Sequence, residues 1–518
     1  MRDPANNRAL GVEADIVGRR TLTKTQTAAN GKKKTPSKKL SKLDAHAKRL
    51  APPMKTPLAL SVLLALLLSS VLHTHAQTNV RTLGVLGDGV TDDTPALQKA
   101  LREGHSDLYF PKGVYRILST LEFDLATLGH TSVSGDGTAT VLMEGPGPAF
   151  RFVGTHGGTA APATVKPTVW DRERTPMINA IEIVGRHPEA DGIEATGTMQ
   201  LTVTRVLIRE ARHALHLLHR NRNLLVADCH IYHNSGIGVF FDAVNLHQAN
   251  ITNCHISYNG GGGVVAKSGE IRNLQIGSSD IESNHAENGP PTANVWLDST
   301  GGSIAEVAIT GCTLQHTRKA PNSANIRIIG GGTDAGVHKR TGHAATQEGH
   351  VTIGNNVFSD VQINLDIENT RGVTITGNTF WEGFQHDLNV QNSSHIVVTG
   401  NNFDRNPRYV VNGLEGAEHN GLTFRQCSEI TVNGNIISGV LGKQAALEFS
   451  DSRRILVTNN SILDSDGAGL WLREVTDSII SANLIRDDRP LEIREKPPGI
   501  RISGGSSHIL NSNLVKDR

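Results

Sequence analysis

The sequence predicts an all-β solenoid, in which short strands wind in stacked coils, and two observations indicate it. From about Val203 onward one phrase recurs at a period of roughly 22 to 26 residues, as in Val373–Phe380 and Ile396–Phe403. The phrase places alternating apolar residues before a Gly-Asn pair, and its period is the length of one solenoid coil. Aromatic residues are only 4% of the chain and glycines number 53, which suits thin coils with tight turns. Such a repeat buries its apolar face only by stacking, so equivalent residues must form columns.

The first 76 residues are expected to lie outside the solenoid. Residues 1–53 carry 13 Lys/Arg against 4 Asp/Glu and predict a basic disordered extension. Met54 and Lys55 then precede an apolar stretch, Leu58–Leu72, that ends in small residues. This is the pattern of a secretory signal peptide over residues 54–76, and the stretch is shorter than the about 20 residues of a membrane span.

We therefore expect Met54 to be the start of translation, which would leave residues 1–53 untranslated. An uncleaved anchor behind a basic tail is the open alternative. Signal cleavage predicts a secreted or periplasmic protein with no stable membrane insertion. It would also leave 37 Lys/Arg against 46 Asp/Glu, and an acidic mature chain argues against nucleic acid as a partner.

Residues 77–177 are predicted to form an N-terminal cap and the first coils. Gly87-Asp88-Gly89 predicts a turn. Thr94 followed by Pro95 marks the start of a short helix with apolar residues at helical spacing. Two short strands about a Pro-Lys-Gly turn follow over residues 107–117.

This segment resembles a known family. Gly87–Thr94, Gly-Asp-Gly-Val-Thr-Asp-Asp-Thr, and Phe110–Tyr115, Phe-Pro-Lys-Gly-Val-Tyr, are similar to the N-terminal motif of the pectate lyase-like superfamily. That branch includes rhamnogalacturonases, C5-epimerases and phage tailspikes. The motif covers residues 80–117, and the repeats extend the likeness to nearly all of 80–518.

The resemblance implies a single-stranded right-handed parallel β-helix of about 12 coils, with its repeats over residues 178–518 and a short N-terminal capping helix. It also implies action on an acidic or other polysaccharide, bound in a groove on the outer face of the second strand of each coil. The motif is structural in that family, so we do not take Asp88, Asp92 or Asp93 as catalytic.

The Gly-Asn phrase predicts a column of stacked side chains at one corner of the coils. The column runs through Asn356, Asn378, Asn401, Asn435, Asn460, Asn483 and Asn513. Stacked amides can hydrogen-bond along the column and satisfy buried backbone groups. Cys229, Cys254 and Cys312 fill the same slot in earlier coils, which predicts small buried side chains there. A Cys229–Cys254 disulfide is the open alternative.

The second strand of each coil supplies two outward columns, because alternate residues of a strand face opposite sides. The first column is Glu194, His216, Phe240, Val265, Trp296, Arg327, Asp366, Asn389, Thr423, Glu448, Trp471 and Arg501. The second is Thr196, Leu218, Asp242, Lys267, Asp298, Ile329, Glu368, Gln391, Arg425, Ser450, Arg473 and Ser503. Charged and aromatic side chains concentrate in the coils from residue 216 to residue 368, which predicts the site.

We predict Asp242, Lys267, Asp298, Arg327, Asp366 and Glu368 as catalytic residues, and His216, Phe240, Trp296, Asn325, Asn389 and Arg425 as substrate-binding residues. Two carboxylates across the groove suit glycoside hydrolysis. A base beside a cation suits a lyase or epimerase that removes the proton next to a uronate carboxylate. Trp296 offers a surface on which a sugar can stack.

Three questions stay open at this level. A non-catalytic glycan-binding or surface protein would use the same groove, and opposite charges on adjacent strands also form plain surface ladders. We assign no metal ligands, although a lyase could use Ca²⁺ held by acidic side chains, and His230, His255 and Asp280 could hold a metal in successive coils. The sequence predicts neither the polysaccharide nor the oligomeric state.

Overall fold

Short parallel strands wind through the part of the chain that the computed structural model describes. This part comprises residues 77–286, 288–315, 320–331, 336–337, 339–342, 346, 348–406, 419–494 and 497–517. The predicted basic extension, 1–53, and the predicted signal peptide, 54–76, lie outside it. In the described residues the strands form a 28-stranded and a 16-stranded sheet, and all their pairings are parallel. The larger sheet folds around a corner into two faces, so each coil presents three faces.

The first face carries both predicted outward columns. Its strands are Leu121–Asp124, Gly147–Val153, Ala190–Met199, Leu215–Ala227, Ile237–Thr252, Gly262–Lys267, Ala293–Asp298, Ala324–Ile329, Val361–Glu368, Gly383–Gln391, Gly421–Arg425, Ala445–Ser450, Ala468–Arg473 and Ile500–Ser503. Three of these, beginning at Ala190, Leu215 and Ile237, continue around the corner into the second face. The predicted series of about 12 coils begins with the strand at Ala190, and two earlier strands belong to the N-terminal segment.

The remaining strands of the second face are Thr78–Asn79, Asp107–Phe110, Ser132–Gly135, Met177–Asn179, Thr202–Thr204, Glu270–Gly277, Ser303–Thr310, Gly349–Gly354, Arg371–Thr376, Ser394–Thr399, Ser428–Asn433, Arg453–Thr458, Thr476–Ser481 and Ser506–Asn511. The third face is the smaller sheet: Asp88–Asp92, Gly113–Ile117, Ala139–Met143, Glu182–Gly185, Leu207–Arg209, His230–Tyr232, His255–Ser257, Asp280–Glu282, Thr313–Gln315, Val357–Phe358, Thr379–Phe380, Asn402–Asp404, Ile436–Ser438, Ser461–Leu463, Leu484–Asp487 and Leu514–Asp517. The prediction of a parallel β solenoid is confirmed.

Helical segments are short in the described residues. Two are α-helices, Thr94–Arg102 and Leu125–Leu128; three are 3₁₀ turns, Val80–Leu83, Pro162–Thr164 and Leu491–Ile493; and Val169–Glu173 is a π-helical turn. The helix that begins at Thr94 buries Leu97 and Leu101 in the core. Its role as a cap stays a prediction. Asp93 is 2% exposed and accepts hydrogen bonds from the backbone of Leu86 and Gly87, as suits a structural motif.

The Gly-Asn phrase forms the corner between the second and third faces. Its first residue has a left-handed backbone, with φ of 65° at Gly434 and 58° at Asn459, a conformation that glycine and asparagine adopt at low cost. Each following asparagine donates from Nδ2 to Oδ1 of the next, at 2.9–3.1 Å from Asn356 to Asn513. The predicted column is thus confirmed.

The four cysteines, Cys229, Cys254, Cys312 and Cys427, are buried and free, so the alternative of a Cys229–Cys254 disulfide is wrong. Cys254 lies in the corner column and its backbone N donates to Ser279 Oγ at 3.2 Å. Cys427 lies in a different corner, where its N donates to Ser452 Oγ at 3.0 Å. These thiols fill small spaces inside the coils.

A second amide ladder, which the sequence analysis did not predict, runs under the entrance to the first face. It links Asn234, Asn259, Asn284, Asn294, Asn325 and Asn364 through hydrogen bonds of 2.7–2.9 Å between side chains and ends on Asp387. We call this series the inner ladder. Its members are at most 2% exposed, so their amides serve the interior of the coils.

Candidate functional site

Backbone pairing on the first face confirms both outward columns. Asp242 pairs with Lys267 and Lys267 with Asp298, so these three side chains leave the same face in successive coils. In the other column Trp296 pairs with Arg327, and Arg327 with Asp366. Neighbouring coils are about 4.8 Å apart, which brings the predicted residues, apart from Asn325, onto one surface.

Asn325 is the exception. It is 0% exposed, and its Nδ2 donates to Asn364 Oδ1 at 2.7 Å within the inner ladder. The prediction that Asn325 binds substrate is therefore corrected: the strand enters the first face through a bend, and this position points into the coil rather than outward.

A histidine held between two carboxylates lies at the N-terminal end of the site. His216 Nε2 is 3.1 Å from Asp242 Oδ2, and its Nδ1 is 3.9 Å from Asp191 Oδ2. The ring stacks on Phe240 at 5.1 Å between centroids, with 7° between the planes. Asp191 is 1% exposed at its side chain, whereas that of Asp242 is 41% exposed. The histidine therefore joins a buried acid to an acid that reaches the solvent.

Asp191 is fixed as an anion. Arg212 donates to both its oxygens, Nε at 2.9 Å and Nη2 at 2.7 Å, and the backbone N of His213 adds a bond of 2.9 Å. Burial opposes ionisation of Asp191, but these bonds and the contact with His216 outweigh it and hold the pKa well below its usual range. A permanent negative charge therefore lies behind His216.

The two neighbouring histidines differ in charge for physical reasons. Burial is the largest influence on His216 and lowers its pKa, but the interactions with Asp191 and Asp242 together outweigh burial, so the pKa is raised. Burial lowers the pKa of His213 to about 4, and its Nδ1 accepts a bond from the backbone N of Ile237 at 3.0 Å. The two aspartates therefore favour the protonated form of His216, whereas burial favours the neutral form of His213.

Lys267 and Trp296 form the centre of the site. The Lys267 Nζ lies 4.1 Å from the centroid of the Trp296 ring, a cation–π contact that fixes the amine on the groove surface. The indole packs against the apolar cluster of Ala293, Ala324 and Ile363. Its buried Nε1 has no hydrogen-bond partner, so the ring edge offers an unused donor.

Arg327 is a fixed charge rather than a mobile one. It is 7% exposed, its Nε donates to Asp366 Oδ2 at 3.0 Å, and its Nη1 donates to Thr292 O at 3.3 Å. Asp366 also accepts a bond of 2.9 Å from Asn389 Nδ2. The predicted pair thus forms a network with Asn389 that holds the charges of Arg327 and Asp366 in place.

The other predicted residues lie farther towards the edge. Asp298 Oδ1 accepts from the backbone N of Thr300 at 3.0 Å. Glu368 is exposed and accepts from Asn369 Nδ2 at 3.2 Å, and Arg425 donates to Gln391. These three side chains make surface contacts, and none of them touches the cluster around His216 and Lys267 through a hydrogen bond or an ion pair in the described residues.

A comparison with protein families settles the class of the chain. The model for the right-handed β-helix region matches residues 179–314, 293–440 and 412–518. The chain belongs to the right-handed β-helix family. A second model, rhamnogalacturonase A/epimerase, pectate lyase-like, matches residues 77–147, which confirms the resemblance found in the N-terminal segment of this β-helix protein.

Solved structures similar to this β-helix protein are distant. ORF18 of Geobacillus virus E2 is 18% identical, with 70% of this chain and 63% of that chain covered and a TM-score of 0.41. Tailspike protein 3 of bacteriophage CBA120 is 12% identical, with 84% and 57% covered and a TM-score of 0.39. The A-module of the Azotobacter vinelandii mannuronan C-5 epimerase AlgE4 is 13% identical, with 85% and 99% covered and a TM-score of 0.33. The chain thus spans less than two thirds of the first two proteins, and these identities are too low to transfer an activity. No curated protein matches it.

Among the described residues no group of three or more His, Cys, Asp or Glu side chains is arranged to hold a metal ion. The His230 and His255 rings instead stack at 5.0 Å, with His255 Nδ1 3.5 Å from Asp280 Oδ2. None of the described helices has the length and apolar composition needed to span a bilayer.

Sequence reasoning missed Asp191, Arg212 and His213 as members of the site. They precede the two predicted columns, at positions where the chain enters the first face. The sequence signal that could have found them is Gly192 beside Asp191 at the start of a strand. Glycine there allows the backbones of neighbouring coils to approach closely, since a Cβ on Gly192 would lie 2.4 Å from Ala214 O. Their importance comes from burial, which the alternation of apolar residues does not reveal.

Proposed function

We propose that this β-helix protein binds an acidic polysaccharide along its first face and transfers a proton at a uronic acid residue, as a lyase or an epimerase. One observation carries the proposal: His216 is held between the buried Asp191 and the exposed Asp242, with Lys267 in the next coil. Acid, base and cation therefore lie on three successive coils, close enough for proton abstraction beside a carboxylate. The signal-peptide pattern over residues 54–76 supports export to the place where such a polymer occurs, and N-terminal sequencing of the exported chain checks that point.

Each side chain has a role in this scheme. Asp242 takes the proton from the carbon next to the uronate carboxylate, and the electron pair moves into that carboxylate. Lys267 neutralises the charge that develops, and Trp296 stacks on a sugar ring. In a lyase the bond from the adjacent carbon to the glycosidic oxygen then breaks, and protonated His216 gives its proton to the leaving oxygen. In an epimerase a proton returns from the opposite side of the ring.

Glycoside hydrolysis is a second candidate, since Asp242 and Asp298 stand on either side of Lys267. Two coil spacings separate their strands by about 10 Å, slightly beyond the about 6.5–9.5 Å between carboxylates in inverting enzymes. The spacing therefore favours the lyase or epimerase. A glycan-binding protein without activity would keep the same groove but would not need the buried Asp191 behind His216.

The test is turnover by the full chain on polygalacturonate, alginate and a neutral glucan. New ultraviolet absorbance from an unsaturated uronate together with new reducing ends identifies a lyase. Deuterium incorporation from solvent at the uronate without cleavage identifies an epimerase, and reducing ends alone identify a hydrolase. Asp242→Asn should lower turnover by about 100-fold or more without loss of polymer binding. Lys267→Gln should lower turnover and also weaken polymer binding. Asp477→Asn, an exposed charge on the second face, is the control. Binding without turnover on every polymer, or full turnover by Asp242→Asn, would sink the proposal.

A further inference from the structure

A cleft lined by basic side chains lies around the corner from the groove, on the second face. Successive coils place Arg222, His247 and Arg272 in one column. Arg220 and Asn245 stand beside it, and the backbone of residues 157–160 forms the opposite wall. The cleft encloses about 440 Å³, which lies within the size range of small-ligand sites. We call it the basic cleft.

The positive charge of the basic cleft is largely unpaired. Neither Arg220 nor Arg222 forms an ion pair with a carboxylate in the described residues. Glu270 also lines the cleft and lies 3.9 Å from Arg272. Arg222 is 6% exposed, and its Nη1 donates to the backbone O of Thr159 and Ala160 at 3.1 and 2.6 Å. Burying charge without a counter-ion is costly, so these arginines need a reason to be there.

Several buried nitrogen atoms here lack a partner. They are Arg220 Nη2, Arg222 Nε, His156 Nδ1 and His247 Nδ1. His156 is 3% exposed, and its Nε2 takes a bond of 3.3 Å from Arg220 Nε. Unpartnered polar atoms are rare in folded proteins, and each normally has an explanation such as a bound ion or water. Arg220 and His247 line the cleft, and His156 and Arg222 adjoin it through hydrogen bonds with Arg220 and with Thr159 and Ala160. Together these four atoms indicate a missing ligand with several acceptor atoms.

The effect of the arginine charges on the nearby histidines also favours an anion as the ligand of the cleft. Burial first, and then the charges of Arg220 and Arg222, lower the pKa of His156 to about 4. Burial and the same two arginines lower the pKa of His247. The cleft therefore repels protons from its own histidines, as expected where positive charge has no counterpart.

We propose that the basic cleft binds an oxyanion, a carboxylate or sulfate group borne by the polysaccharide that occupies the groove. A guanidinium group can donate two hydrogen bonds at once to two oxygens of a carboxylate or a sulfate group. Leu218 belongs to the groove and Arg220 to the cleft, and two residues span at most about 7 Å. A charged branch or chain end of one polymer can therefore reach both. In naming the polymer as the source, this inference rests on the proposed function.

Binding of inorganic sulfate and of a polygalacturonate oligomer to the full chain, measured by calorimetry, tests it. Sulfate probes the oxyanion site alone, and the oligomer probes the connection with the groove. Arg220→Gln should weaken both by at least about ten-fold, since a hydrogen bond to a charged group contributes about 1.5–3 kcal/mol. His247→Gln should weaken sulfate binding as a second variant. Arg102→Gln, which removes an equal charge from an exposed helix position, should change neither.

The results distinguish the oxyanion site, the polymer as the source of the oxyanion, and the proposed function. Equal sulfate affinity in the wild type, Arg220→Gln and Arg102→Gln, or no sulfate binding at all, overturns the site. Sulfate binding that depends on Arg220, with oligomer affinity that does not, overturns the polymer as its source and leaves a site for a free oxyanion. Sulfate binding that depends on Arg220, in a chain that turns over no polymer, refutes the proposed function while the oxyanion site stands.

Discussion

Asp387 occupies the position at which the inner ladder would otherwise place another asparagine. It is 1% exposed, and its Oδ1 accepts from Asn364 Nδ2 at 2.8 Å. Burial is the largest influence and raises the pKa of Asp387 to about 7, although hydrogen bonds from Asn364 and the backbone of Gly383 act in the opposite direction. One oxygen in place of an amide nitrogen therefore makes the ladder sensitive to pH.

The sign of this effect follows from proton linkage. The ordinary pKa of the carboxyl is 3.8 and its folded pKa is about 7, so between these values the folded chain binds more protons than the unfolded chain. The free energy of unfolding therefore falls as pH rises from about 4 to about 7, and the loss persists above that range. Asp387→Asn should remove this loss and stabilise the chain by a few kcal/mol at pH 8, with little change at pH 4.

Urea unfolding of the full chain at both pH values checks this prediction. Asp404→Asn, which removes a partly exposed charge in the next coil, is the matched control and should leave the pH dependence unchanged. If Asp387→Asn and the wild type lose stability in parallel between the two pH values, another group is responsible.

At the scale of the element, the corner between the second and third faces carries the repeat. Its left-handed column is Ala180, Arg205, Asp228, Asn253, Ser278, Gly311, Asn355, Gly377, Gly400, Gly434, Asn459, Ala482 and Ser512. This left-handed conformation costs free energy for an L-residue with a Cβ, but not for glycine. The Gly-Asn phrase thus has two separate causes, a backbone requirement at its first residue and a side-chain ladder at its second.

Ala482, with φ of 55° and an exposed side chain, is one of two alanines in this column, with Ala180, at which neither glycine freedom nor a polar side chain relieves the strain. Ala482→Gly should therefore stabilise the chain, by about 1 kcal/mol. Ala227→Gly, within a strand, should destabilise it by about 0.5–1 kcal/mol. Opposite shifts of the two urea midpoints are the expected result, and a loss in both variants would show that flexibility of the unfolded chain outweighs the strain.

The same physics explains what the sequence could predict. Alternation along Asp242 and its partners in successive coils fixes which side chains face outward, and the repeat fixes their register, so both columns follow from the pattern alone. The pattern does not predict the inner ladder, because Asn234 follows a strand of the third face whereas Asn294 lies within a strand of the first face, so the two occupy different positions of the repeat. This is why Asn325 was assigned to the surface. The contact of Arg212 with Asp191 depends on burial at a bend, which no local pattern records.

At the scale of the whole molecule, the two proposed sites lie in the same few coils. The cluster around His216 and Lys267 and the basic cleft are both built from the strands Leu215–Ala227 and Ile237–Thr252 and the two strands that follow. The cluster lies on the first face and the cleft on the second face, on either side of one corner. In a solenoid each coil touches only its neighbours. A ligand that contacts both faces would therefore stabilise these coils directly, and coils farther along the axis only through the stack.

The last described coil shows the converse. Inward residues Ile502, Leu510 and Val515 are 41%, 43% and 42% exposed, because no further coil in the described residues covers them. Their partners one coil earlier, Leu472, Ile480 and Ile485, are at most 1% exposed. The exposed fraction of an apolar side chain in one column thus depends on whether neighbouring coils cover it on both sides.

Burial per coil, rather than residue type, should then set the cost of a substitution. Ile480→Ala should lower the free energy of unfolding by about 2–5 kcal/mol, whereas Leu510→Ala should lower it by well under half as much, since much of its side chain already contacts water. Urea unfolding of the two variants measures the difference, and amide exchange should be faster over residues 500–517 than over 470–485. Equal costs would mean that Leu510 is covered in solution, which requires either residues outside the described part or a second copy of the chain against this end.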